Sequence, residues 1–460
     1  MAISLGDRLR QVVNPGHRVV PRVADDALHQ DAEAETETPA VAAREARLDG
    51  FKAADVLAGH WIETTQGSVL VIDRYYAADR RHGREPIGEI VETLQSHEEA
   101  LDVLARAWPG RSDRSGGPVS QQFCFFDLET TGLAGGAGTQ AFLVGCAVIE
   151  DGGIRVRQFL LPGFEHERAL LSMVGEWMTN QGTLVTFNGR SFDVPLIETR
   201  YLLHRLPFPF AEMPHLDMLH PARRLWKQRP TVAGPPLDDD SCKLSVLERH
   251  LAGYHRVGDV PGFEIPSRYY RFIRDGNAYP LEAVLEHNRI DLLSLALVTA
   301  RALRLIDEGP GAAMHPREAL GLGRLYERTG ATDNAEACFA SAAALAARVG
   351  REPDVQGEAL RRLALSRRRH GRMAEAAAAW QELLNIPCCP SMLRREAREA
   401  LAIHHEHRSR DLQAARSMVL DVLAEGSGSR WRDQAEHRLN RIERKLAVRR
   451  EGGLMAALEE

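Results

Sequence analysis

Cysteine is scarce in this 460-residue chain: six residues, Cys124, Cys146, Cys242, Cys338, Cys388 and Cys389, with no CxxC spacing. That pattern excludes a zinc ribbon and a disulfide framework and predicts reduced thiols in a cytoplasmic protein. Long apolar runs are lacking too. The run AFLVGCAVI falls far short of the ~20 residues that cross a bilayer, so no membrane span is expected. The opening MAISLGDRLRQVV has no extended apolar core with a small-residue cleavage site, and nothing in it marks the chain for secretion. Positive charge is not in excess either. The formal net charge is −6, so any contact with nucleic acid must be local. What remains is a globular composition, 44% hydrophobic and 27% charged, in a chain longer than the roughly 250–300 residues of one hydrophobic core. Two or three domains are expected.

Residues 1–48 read as a short amphipathic helix followed by an acidic, solvated linker, because ADDALHQDAEAETET carries six acids and no base. Residues 49–119 read as a small hairpin and helix, from the alternation in HWIETTQGSVLVIDRYY and the helical spacing in SHEEALDVLARAW. From 120 to 308 the pattern is strand, strand, strand, helix, strand, helix, with a turn at Asp151-Gly152-Gly153, which predicts a mixed α/β sheet. Residues 312–450 lose strand signals and become alanine-rich helical pairs. Leu322, Gly323, Tyr326, Ala335, Phe339 and Ala342 fall at tetratricopeptide spacings. Ala364, Ala376 and Trp380, then Ala402, Ala414 and Met418, make two further copies, which predicts an all-α repeat domain that stacks its faces.

Chemistry concentrates in three stretches. In FCFFDLETTGLAGGAGTQAFLVG, Asp127 and Glu129 lie two apart on a strand and so share one face. Like charges that close need a cation between them, and hard oxygens suit Mg²⁺ or Mn²⁺. In TLVTFNGRSFDVPLIETRY, Asp193 follows Asn188 near a helix start, where an N-cap is the plain alternative. In EHNRIDLLSLA, His287 and Asp291 lie four apart on one helix face. AGGAGT lacks the Gly-Lys-Ser/Thr ending of a phosphate-cradling loop and reads as an inter-strand turn. His215, Asp217 and His220 could bind metal or could cap and pack. ARRLWKQR, with Trp226 among basic residues, offers either a backbone-contact and stacking patch or a solvated helix face.

Taken in order, D-x-E, N-x4-D and H-x3-D resemble the DEDD superfamily of 3′-to-5′ exonucleases on the RNase H-like fold. The stretches HLDMLHPARRLW, CKLSVLERHLAG and DVPGFEIPSRYY extend the likeness to the bacterial YprB-type family, whose members can also carry tetratricopeptide repeats. The resemblance implies that Asp127 bridges two Mg²⁺ or Mn²⁺ ions, that Glu129 and Asp291 complete the ligands of the first ion, and that Asp193 supports the second ion. It makes His287 the candidate general base, although DEDD subclasses pair His with an x4 gap and Tyr with the x3 gap found here. Thr130, Thr131 and Asn188 become candidate substrate-binding residues. The implied partner is the 3′ end of DNA or RNA, with a protein partner or more nucleic acid recruited by the repeats. A non-catalytic nucleic-acid-binding adaptor and an endonuclease of the same fold remain the competing functions.

Overall fold

The computed structural model describes residues 52–107, 122–132, 138–179, 181–226, 242–425 and 429–458. The acidic linker and N-terminal helix expected over 1–48 lie outside them, as do the linker at 110–120, most of AGGAGT and the end of ARRLWKQR.

A seven-stranded sheet organises the first two thirds of the chain. Its strands are β1 (His60–Thr64), β2 (Gly67–Tyr76), β5 (Phe123–Thr130), β6 (Ala141–Glu150), β7 (Gly153–Leu160), β8 (Thr183–Thr186) and β9 (His215–Asp217); β3 (Arg81–His82) and β4 (Glu85–Pro86) form a separate two-stranded ribbon. The order is β1-β2-β7-β6-β5-β8-β9. β5, β6 and β7 run antiparallel in succession, while β8 joins β5 in parallel and β9 joins β8 in parallel. The mixed sheet expected from the pattern is therefore present. The turn from β6 to β7 places Asp151 at φ 49° and Gly152 at φ 74°, the two positive values that a two-residue hairpin turn matched to strand twist requires.

One expectation changes. The hairpin of residues 49–119 is not a region apart, because β2 pairs along its length with β7, Leu70 opposite Leu160 through Tyr76 opposite Ile154. Its alternation showed a half-buried strand but could not show which distant edge completes it.

Both faces of β5 are covered, as period-two alternation of an almost wholly apolar strand demands. Cys124, Phe126 and Leu128 enter one core with the helices Glu167–Met178, Asp193–Leu203 and Ile265–Asp275. Phe123 and Phe125 enter a second core beneath the long helix Tyr279–Glu308, and each such buried ring is worth about 1.5–3 kcal/mol. Asp127 and Glu129 continue that second face toward the strand's C-terminal end.

Beyond the long helix the chain is helical. Pairs begin at Pro316 and Thr332, Pro353 and Met373, and Ser391 and Leu412, and a further helix, Ser429–Leu458, lies past the three expected copies. Gly323 admits the Phe339 ring, since a Cβ there would stand 2.5 Å from its edge. No break separates these helices from the sheet. The second core runs from Phe125 through Leu305 to Leu401 without interruption, and Leu48–Glu460 forms one compact unit. Trp226 belongs to this junction: its ring nitrogen donates to Glu318 Oε1 at 2.9 Å, so it anchors the first helical pair instead of standing free for stacking. Among the described residues no helix is long and apolar enough to cross a membrane.

Candidate active site

β5 ends in a bulge. Its register against β6 shifts between Glu129 and Thr130, which terminates regular pairing just after the second carboxylate. The loop that follows is closed by its own threonines. Thr130 Oγ1 donates to the Gly132 carbonyl at 2.9 Å, and Thr131 Oγ1 accepts the Gln140 N–H at 3.0 Å. Both hydroxyls proposed for substrate are thus engaged within the loop. Gln140 in turn donates to Glu167, a buried carboxylate gripped by Arg200 and His204. Burial would raise the Glu167 carboxyl, but those hydrogen bonds outweigh it and hold it below its ordinary value.

Asp193 is the first residue of its helix; Phe192 occupies the cap and makes no side-chain capping bond, so the N-cap alternative for Asp193 does not hold. Asn188 sits at φ 70°, a left-handed conformation that Asn tolerates better than most residues. It is held there by Asp217, which accepts the backbone N–H groups of Asn188 at 2.8 Å, Arg190 at 3.1 Å and Leu219 at 3.1 Å. His215 bonds Thr186 Oγ1 at 2.8 Å, and His220 is exposed. Of the two roles open to His215, Asp217 and His220, the structure therefore shows loop organisation and packing.

Asp291 faces the sheet from the long helix. Arg256 donates to it and also forms a fork with the fully buried Glu248, at 2.6 and 3.0 Å. Burial alone would depress the guanidinium, but Glu248 and Asp291 more than offset this and raise it, so it stays charged. Ser294 donates to Glu248, and the buried, neutral His82, pushed down to about 4 by burial and Arg256, bonds Ser294 at 2.8 Å. His287 stands one turn before Asp291. Its Nδ1 is 2.6 Å from Asp259 Oδ1, and its Nε2 is 3.4 Å from Asp291 Oδ2.

Electrostatics ties the four acids together. Burial first, then the charges of Asp291 and Asp193, hold the Asp127 carboxyl well above the ordinary range. Glu129 is raised by burial and by Asp127, Asp291 and Asp193. Asp193 is lifted to about 7 by burial, Asp217 and Asp291. One guanidinium, already shared with Glu248, does not balance this charge. The donor set, hard carboxylate oxygens in a charge-deficient setting, fits Mg²⁺ or Mn²⁺. Among the described residues, however, no three His, Cys, Asp or Glu side chains are drawn together tightly enough to enclose an ion as they stand.

The D-x-E, N-x4-D and H-x3-D motifs did not single out the residues around these acids, although Asp259 opens the stretch DVPGFEIPSRYY and Asn288 lies within EHNRIDLLSLA. Arg256 and Asp259 come from the irregular segment before the Ile265 helix, and Asn288, buried between the two motif residues of the long helix, donates to Asp127 Oδ2 at 2.8 Å. A polar residue inside an otherwise apolar helix stripe is the signal that could have found Asn288.

Residues 124–303 match the RNase H superfamily model. The chain is also 29% identical over 386 residues to the uncharacterized protein YprB of Bacillus subtilis, a match that spans 82% of this chain and 86% of that protein. Members of the superfamily are generally nucleases and typically use divalent metal ions. The segment that carries Asp127, Glu129, Asp193 and Asp291 is thus an RNase H superfamily domain, set in a seven-stranded mixed sheet consistent with that fold.

Proposed function

We propose that the protein hydrolyses phosphodiester bonds of nucleic acid, removing nucleotides from a 3′ end as a DEDD-type exonuclease. The observation that supports this is the convergence of acids from three chain segments, Asp127 and Glu129 at the end of β5, Asp193 at the start of its helix and Asp291 on the long helix, where burial first, with the charge of Asp291 among the further causes, raises the carboxyls of Asp127, Glu129 and Asp193. Perturbed carboxyls of this kind concentrate at functional sites. Asp127, Glu129, Asp193 and Asp291 would hold two Mg²⁺ or Mn²⁺ ions, which when bound neutralise charge on the scissile phosphate and acidify water. His287 takes the proton from the attacking water. Asp259 accepts its Nδ1–H, which leaves Nε2 as the basic nitrogen on the Asp291 side. Asn188, and Thr130 and Thr131 next to Glu129, are assigned to substrate, which would have to replace the bonds the two threonine hydroxyls make within their own loop. Chemistry is assigned to residues 120–308. The helical pairs of 312–450 are read as tetratricopeptide-like and assigned to recruiting a protein partner or a second stretch of nucleic acid.

One observation favours a rival. Arg256 already neutralises Asp291, as an internal cation would in an adaptor that binds nucleic acid without cutting it. Full-length protein with Mg²⁺ or Mn²⁺ and 3′- or 5′-labelled single-stranded DNA, duplex DNA and RNA separates the two. Stepwise loss from the 3′ end, stopped by EDTA and by Asp127→Asn or Asp291→Asn, is expected. Tight binding with no metal-dependent degradation would establish the adaptor, and equal digestion by the variants would remove the assignment of the acids.

A further inference from the structure

Three strands bring a set of uncharged groups to bear on Asp127. Asp127 on β5 lies opposite Gly145 on β6, and Gly145 lies opposite Gln158 on β7. The missing side chain at Gly145 is filled from above. A Cβ there would stand 2.1 Å from Asn288 Oδ1, 2.7 Å from its Cγ and 2.8 Å from its Nδ2, so the Asn288 amide lies directly over the glycine. Asn288 and Gln158 are both fully buried.

The hydrogen-bond polarity across this row is determined. Gln158 Nε2 donates to the Leu285 carbonyl at 2.9 Å, and a carbonyl can only accept, so the amide nitrogen must face the helix. The same Nε2 donates to Asn288 Oδ1 at 2.8 Å, which turns the Asn288 amide nitrogen the other way, onto Asp127 Oδ2 at 2.8 Å. Oδ2 is thereby committed, and Oδ1 accepts no hydrogen bond among the described residues. Rotation of the carboxylate would strand a buried donor, so its plane is locked.

We propose that Asn288, aimed by Gln158 across Gly145, is a positioning residue that fixes the Asp127 carboxylate with one oxygen free to ligate a divalent cation. This rests on the proposed function of the acids, and it assigns to an uncharged, fully buried amide the orientation of the first carboxylate. Asn288 touches neither substrate nor ion; it acts through Asp127.

Mn²⁺ binding to the full-length protein, read by isothermal titration calorimetry, and thermal midpoints in EDTA test this together. Outer partners of metal-binding side chains typically contribute 10- to 100-fold in affinity. Asn288→Ala and Gly145→Ala should each weaken Mn²⁺ binding by about that factor, the second because its methyl group displaces the Asn288 amide. The double variant should bind no more weakly than Asn288→Ala alone, and in EDTA its midpoint should fall less than the two single shifts combined, because the clash exists only while Asn288 is present. Should Asn288→Ala not fold, Gln158→Met removes the aiming donor while keeping the volume and should weaken binding in the same direction. Wild-type Mn²⁺ affinity in folded Asn288→Ala, or in Gln158→Met, overturns the positioning role, as does an additive double variant. Asp127→Asn runs beside them. If it binds Mn²⁺ as wild type does, the assignment of the acids fails; if it loses binding while Asn288→Ala keeps it, only the positioning role fails.

Discussion

Asp193→Asn should stabilise the metal-free protein, and by an amount that grows with pH. Asp193 begins a helix on which burial and the charges of Asp217 and Asp291 lift its carboxyl from 3.8 to about 7. A folded-state value above the unfolded one means that the native state holds the proton more tightly. The protonated form therefore contributes its full stability below about pH 4, and that contribution is lost as pH rises through about 7. The displacement corresponds to roughly 4 kcal/mol at its ceiling. Asp193 is half-buried and its neighbours titrate with it, so about 2 kcal/mol is the working figure. In a cooperative unit of this size 1 kcal/mol moves the midpoint by about 1 °C, so the midpoint of Asp193→Asn should exceed that of wild type by about 2 °C at pH 8.5 and by less than half of that at pH 5. Differential scanning fluorimetry in EDTA across that range measures the difference directly. Taking the difference between the two proteins cancels every other titrating group that behaves alike in both. Saturating Mg²⁺ should shrink the advantage, because a bound cation removes the repulsion that the substitution relieves. A difference that stays constant with pH, or is largest at pH 5, would refute the electrostatic account of the cluster.

Arg256→Met should lower stability by about 3–5 kcal/mol, because it leaves Glu248 buried without its cation; thermal melts check this, and Arg256→Met with Glu248→Gln should recover part of the loss. His287→Ala should lower kcat by about 10²- to 10⁴-fold in single-turnover assays while Mn²⁺ affinity changes little. Asp259→Asn, which keeps the shape but not the acceptor for Nδ1–H, should cost about 10- to 100-fold by the same assay. Ending the chain at residue 308 should destabilise the protein, since the helices Leu219–Leu225 and Glu98–Ala107 lose the first helical pair packed against them; a lower midpoint and aggregation by light scattering are expected.

Local periodicity carried most of the fold because it is written within a few residues. The alternation in FCFFDLE placed β5 and put both acids on one face, and Asp151-Gly152 placed the turn between β6 and β7. Long-range pairing left no such trace. β2 finds β7 between 78 and 90 positions away, from Tyr76 opposite Ile154 to Leu70 opposite Leu160, and nothing in either strand names the other. The acids were legible because carboxylates at strand ends and helix starts stand out against apolar neighbours. Arg256 and Asp259 were not, because they sit in an irregular segment whose path is determined by side-chain bonds to Glu248, Asp291 and His287. The threonine hydroxyls turned to their own loop for a similar reason: a bulged strand end leaves backbone groups that the nearest hydroxyl satisfies first.

Asn288 and Gly145 show how much more could have been extracted. Leu281, Val284, Leu285, Asn288, Leu292 and Leu295 make one buried stripe of the long helix, apolar except at a single position. An amide in that position cannot remain unbonded without a cost of about 1–3 kcal/mol, so a polar partner must lie across the interface. The apolar strand AFLVGCAVIE likewise contains one lone glycine, the mark of a strand approached closely from one face. Each is a weak sign alone. Together they require that a polar side chain on the helix enters the space left on the strand, and since Gly145 pairs with Asp127, the group that it must meet there is the first carboxylate of the site.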